Sequence, residues 1–171
     1  MEKLGNERLP LEEENDMCPM IAAAVLNKKG YEIPIPRANC MMGVFNSIVT
    51  SALQRKGFYM RLYEENSLTV GKLRLVGKKN DGVLLMRSRS NPKVFHFIAF
   101  IVEGQQLKFY DAENGKLDVY RLKNKASATD FDDDFIELFP DYVIVQVSII
   151  EQMQGGKRKR KTRRRTRKHR R

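Results

Sequence analysis

The chain has 171 residues, a length that favours one domain. It carries 32 Lys+Arg against 21 Asp+Glu, a formal charge of +11, but residues 157–171 (KRKRKTRRRTRKHRR) hold 12 of the cations and no acid. The remainder therefore has 20 cations (32 less those 12) against 21 acids, a nearly neutral body that argues against a folded domain whose whole surface grips nucleic acid.

Hydrophobic residues make up 42% of the chain, enough for a packed core, and no apolar run approaches the roughly 18 residues needed to span a bilayer. The start, MEKLGNERLPLEEEND, lacks the apolar stretch of a secretory signal. Two cysteines in such a chain point to reduced thiols and an intracellular, reducing compartment. Two Cys and two His, one of them His169 in the tail, give no basis for a four-ligand zinc site. No metal or cofactor is expected.

Residues 1–15 read as a polar arm. Asp16 suits a helix cap and Pro19 its first turn. The segment CPMIAAAVLNKK then runs to Gly30, apolar nearly all round, as a helix buried mid-domain would be. YEIPIPR reads as extended, because its prolines break a helix. Asn39 suits the cap of a second helix, CMMGVFNSIVTSALQRK, in which Val44, Ile48, Ala52 and Leu53 recur at helical spacing before Gly57 stops it. FYMRLY, LRLVG, GVLLMRS, VFHFIAFIV, QLKFYD and KLDVYRL then read as strands, rich in β-branched and aromatic residues. Asp130 to Phe139 reads as a short acidic helix, and DYVIVQVSII as a last strand. Helices followed by mostly antiparallel strands make the class α+β, with a domain over 16–152 and a Gly155–Gly156 hinge opening a terminal segment over 153–171. A Gly-Gly pair is also a cleavage signal for double-glycine-cutting peptidases.

The most informative stretch is VFHFIAFIVEGQQLKFYDAENG. A two-residue turn at Glu103–Gly104 places Val102 opposite Gln105 and, continued outward, His96 directly opposite Asp111, with Cα atoms about 4.5–5.5 Å apart. A carboxylate there accepts a proton from one imidazole nitrogen, fixes the tautomer and turns the other nitrogen to general-base work. His96 shares a face with Ile98, Phe100 and Val102, while Phe97, Ala99 and Ile101 fill the other, so this strand is central. A one-residue slip would separate the pair. The competing reading is a core histidine tied to a carboxylate.

Such a pair needs a nucleophile. Cys18 and Cys40 each open a predicted helix, where unpaired N–H groups and the helix dipole stabilise a thiolate. For either, the alternative is a small buried hydrophobe.

Taken together, a Cys at the head of a buried helix, a second helix, strands, then His and an Asp 15 residues later resemble the papain-like cysteine peptidase superfamily. CPMIAAAVLNKKGYEI resembles the Cys-bearing first helix of papain-fold toxin domains and of the double-glycine peptidases of bacteriocin exporters. FNSIVTSALQRKGFYMRLY resembles the later helix-strand unit of the Josephin deubiquitinases, and HFIAFIVEGQQLKFYDAENG the His and Asp strands common to all. The resemblance covers residues 15–150. It implies a papain-like fold and a Cys18-His96-Asp111 triad: Cys18 as nucleophile through a thioester, His96 as general base and then acid, Asp111 as its orienting group. Where many relatives carry a Gln before the Cys, this chain offers Asn15 as the oxyanion-hole amide, with the Cys18 N–H as second donor. Cys40, in NCMMGVFNSI, is the alternative nucleophile, with a faint likeness to deubiquitinase Cys boxes. The resemblance implies a protein or peptide substrate, with ubiquitin or a ubiquitin-like C-terminus among the candidates.

The tail cations are Lys157, Arg158, Lys159, Arg160, Lys161, Arg163, Arg164, Arg165, Arg167, Lys168, Arg170 and Arg171. So charged a run does not fold alone, and it binds phosphates by counterion release. It reads as a nucleic-acid tether or a nuclear localisation signal, or as a contact to an anionic membrane surface. It resembles tails on proteins of large DNA viruses, which would place the chain in a nucleus or virion. The competing function is a catalytically inactive module whose tail binds nucleic acid.

Overall fold

A computed structural model describes residues 2–7, 18–35, 42–64, 73, 77, 80–104, 106–113, 116–121 and 135–154. Helix α1 (Cys18–Asn27) is buried from Met20 to Leu26, as its all-round apolar composition requires. Lys28, Lys29 and Gly30 close it by bonding back to the carbonyls of Val25, Leu26 and Asn27 at 3.1, 2.9 and 2.9 Å. Gly30 takes φ +80°, a conformation that only glycine enters without strain. Helix α2 (Met42–Arg55) offers Val49, Ala52 and Leu53 to the same core. The chain reverses through Gly57 into β2 (Phe58–Glu64).

The remaining strands are β1 (Glu2–Glu7), β3 (Gly82–Ser88), β4 (Phe95–Glu103), β5 (Gln106–Glu113), β6 (Lys116–Arg121) and β7 (Tyr142–Gln152). They form one sheet in the order β1-β6-β5-β4-β3-β7-β2, and every neighbouring pair is antiparallel. Strand β4 lies in the middle, consistent with its two apolar faces. One face, with Val83, Ala99, Ile101, Tyr110, Val119 and Ile150, packs under α1 and α2. The other, with Leu84, Met86, Ile98, Phe100, Phe109 and Val147, is covered by Leu73 and Phe135. Each fully buried aliphatic or aromatic side chain contributes about 1.5–3 kcal/mol, so a sheet covered on both sides is the main stabilising element of the α+β body.

Two sequence expectations change, and two are described only in part. Part of the polar arm is strand β1, an edge strand held to β6 by backbone pairing and by the Lys3–Asp118 and Arg121–Glu2 ion pairs. Of LRLVG, the described residues are Leu73 and Gly77, and both are helical turn, with Leu73 fully buried, rather than strand. The second helix is described over Met42–Arg55, and its expected start at Cys40 lies outside the described residues. The acidic helix is seen as one turn over 135–138, and its 130–134 part lies outside the described residues.

Candidate active site

The fourth and fifth strands build the site. Their turn is centred on residues 104–105 instead of on Glu103–Gly104, so Glu103 faces Gln106 and Val102 faces Leu107. Gly104 takes φ +61°, which suits glycine at the first central position of a two-residue hairpin turn. The expected register is thereby corrected by two residues. Continued outward, the observed one sets Asp111 across from Ile98, diagonal to His96. Because side chains alternate with period two, a two-residue shift keeps both on the same face. The contact survives as a diagonal one: Nε2 of His96 is hydrogen-bonded to Oδ1 of Asp111. The backbone ladder between β4 and β5 runs only from Glu103 to Ala99, and beyond it this side-chain bond joins the strands.

Asp111 is buried, 6% exposed, and a buried carboxylate is tolerable only when partnered. The bond uses Nε2, so proton exchange with a nucleophile would run through Nδ1. Met86 lies directly across from His96 on β3, and the Tyr142 ring sits 5.6 Å from the imidazole, tilted by 41°. This apolar shell screens the pair from water. On the far side of Asp111, β6 places Asp118 directly opposite, and Lys3 of β1 bonds Asp118 at 2.8 Å. Burial, and next the Asp118 charge, hold the neighbouring Tyr120 hydroxyl protonated above its usual range. Sequence reasoning missed Asp118, Lys3 and Tyr142. The available signal for Asp118 was an acid between Leu117 and Val119 within an apolar strand.

Two ties fix how α1 lies on the sheet. Lys29, just past its end, donates from Nζ to the Val102 carbonyl at 2.6 Å. The Tyr31 hydroxyl donates to Asp81 at 2.5 Å, and Asp81 also accepts from the Val102 N–H at 2.8 Å. The helix packs chiefly against β4. Cys18 is the first residue of this helix. The helix sits on the Ala99–Ile101–Tyr110 face, whereas His96 and Asp111 line the Met86–Ile98–Phe109 face. Asn15, Cys40 and the tail residues lie outside the described residues.

Among the described residues no three of His, Cys, Asp and Glu gather as a metal set, and no helix is long and apolar enough to cross a membrane. No family model and no curated protein matches the sequence. Among solved structures the chain is similar to the crystal structure of the Pseudomonas avirulence protein AvrPphB, at 16% identity and a TM-score of 0.39, over 78% of this chain and 69% of that one. This is a distant likeness.

Proposed function

We propose that the protein is a papain-like cysteine peptidase or isopeptidase in which Cys18 attacks a carbonyl, His96 shuttles the proton and Asp111 holds His96 in place. The observation that carries this reading is the imidazole bonded through Nε2 to a buried carboxylate, in a chain whose first helix begins at a cysteine. Thiol attack would transfer the Sγ proton to Nδ1. The resulting imidazolium, stabilised by Asp111, would protonate the leaving amine, and water would then cleave the thioester. Helix and pair occupy opposite faces of the sheet, so this reading requires the thiol to reach Nδ1 past the start of β4, one residue before His96. Asn15 and the Cys18 N–H are the proposed oxyanion donors. The substrate is a protein or peptide, with a ubiquitin-like C-terminus as the form to try first, and the tail is a nucleic-acid tether or nuclear address.

The test is labelling with a ubiquitin vinyl-sulfone probe and with a small thiol alkylator across pH. Labelling lost in Cys18→Ala and kept in Cys40→Ala supports the assignment. So does a Cys18 alkylation curve with a low-pH limb that vanishes in His96→Ala. Alkylation of Cys18 along an ordinary thiol curve, unaffected by His96→Ala, would sink it.

The facial separation favours a second reading, an inactive module whose His96–Asp111 pair is a core ion pair and whose tail binds nucleic acid. Under it, Cys18→Ala changes nothing measurable, whereas removing residues 157–171 abolishes binding.

A further inference from the structure

Asp111 and Asp118 are directly opposed across β5 and β6 and share the sheet face of Phe109 and Tyr120. Both are buried, 6% and 9% exposed. Opposed like charges on neighbouring strands repel, and burial strengthens the repulsion. Two partners relieve it from opposite sides. His96 of β4 bonds Asp111, and Lys3 of β1 bonds Asp118 at 2.8 Å with its ammonium 6.0 Å from the Tyr120 ring centroid. The row His96, Asp111, Asp118, Lys3 thus runs across four adjacent strands with charges that alternate in pairs.

We propose that Lys3 and Asp118 are positioning residues for His96. Lys3 neutralises the Asp118 carboxylate, so that the imidazole does not feel that charge in addition to Asp111. The role in the reaction rests on the peptidase reading, whereas the electrostatic coupling is a property of the sheet. Among the described residues, the titratable or charged groups placed around the pair are Glu113 of β5, at the register position across from His96 and paired in turn with Lys116 of β6, Asp118 and Tyr120 from β6, Lys3 from β1 and Tyr142 from β7, while β3 contributes the uncharged Met86. Removing the Lys3 charge leaves an extra anion near the ring, which favours imidazolium. Removing the Asp118 charge leaves an extra cation, which disfavours it.

The experiment is an NMR titration of His96 in the full chain, with His169 as internal reference. Lys3→Met is expected to raise the His96 midpoint and Asp118→Asn to lower it, each by about half a pH unit or more. The double variant returns it near wild type, and Lys3→Arg leaves it there. If Lys3→Met fails to fold, the near-isosteric Asp118→Asn carries the sign test with Lys3→Arg as control. A midpoint unmoved in folded single variants, or moved in the same direction by both, overturns the proposal. Probe labelling of Cys18 in the same samples separates the two claims. Shifts of the expected sign without labelling sink the peptidase reading and leave the coupling, while labelling with an unmoved His96 does the reverse.

Discussion

Lys29 is bonded through its ammonium to the main-chain carbonyl of Val102, and this links the end of α1 to the end of β4. The helix packs chiefly against β4, the strand that carries His96. Under the proposed triad, His96→Ala abolishes turnover, and Asp111→Asn lowers kcat by about 10²–10⁴-fold while leaving KM nearly unchanged, because the tautomer is lost and the binding surface is not. Steady-state kinetics on a peptide or ubiquitin-derived substrate that the wild type cleaves would check both.

Gly82 begins β3 where there is no room for a side chain. A Cβ there would collide with the Ser148 carbonyl oxygen and with the Phe100 ring. The carbonyl belongs to the facing strand and cannot rotate away. Gly82→Ala is expected to cost about 1–3 kcal/mol, read as a lower urea midpoint with an unchanged slope.

The buried Asp81 accepts from Tyr31 and from the Val102 N–H. Tyr31→Phe removes a donor from a buried acid and is expected to cost about 1–3 kcal/mol. Burial first, then the hydrogen bond to Asp81, lifts the Tyr31 hydroxyl well above the ordinary phenol range. Its folded value lies above its unfolded value of about 10, so its contribution is fully present below that pH and is lost as pH rises past it. Denaturation midpoints between pH 8 and pH 11 should fall more steeply in wild type than in Tyr31→Phe.

Asp141 shows the opposite sign. Hydrogen bonds from Ser88 and then Ser90 hold its carboxyl below the usual range. The folded value is depressed, so the contribution is present above the unfolded value of about 3.9 and is lost as pH falls through the folded one. Asp141→Asn should flatten the acid limb of a thermal-melt series taken from pH 6 to pH 2. Ser88→Ala should flatten it in part.

For the tail, fluorescence anisotropy with duplex DNA of random sequence is expected to give an affinity that falls steeply with salt. Each phosphate contact contributes about −0.9 to the slope of log K against log salt. A chain ending at residue 156 should lose the binding and the slope together. Retained, salt-dependent binding without residues 157–171 would locate the basic contact elsewhere.

What was legible in the sequence follows from where burial leaves a pattern. The continuous apolar run from Ile21 to Leu26 marked a buried helix, and the two apolar faces of β4 marked a central strand. His96 and Asp111 were linked by parity alone, and parity survives an error of two residues. The register itself was not legible, since a positive φ at Gly104 suits it as either central residue of a two-residue turn, and only the pairing of Glu103 with Gln106 chooses between them. Strand β1 gave no signal because it buries little. Glu2, Lys3, Leu4 and Gly5 are all exposed, and the strand is held by backbone pairing and two ion pairs that span the chain. The alternation in Met86, Ile98 and Phe109 against Ala99, Ile101 and Tyr110 was present in the sequence, but which face takes the helices is settled only by packing.

The first strand has a kinetic consequence. Glu2 and Arg121 are 119 residues apart in sequence, and their contact closes one of the largest loops in the chain. An element with so distant a partner and so little buried area docks late in folding and opens early under stress. The sheet therefore has a detachable margin. Amides on the β1 side of β6 should exchange with solvent by local opening well before those of β3 and β4, and whenever β1 lifts away, the cation facing Asp118 departs with it.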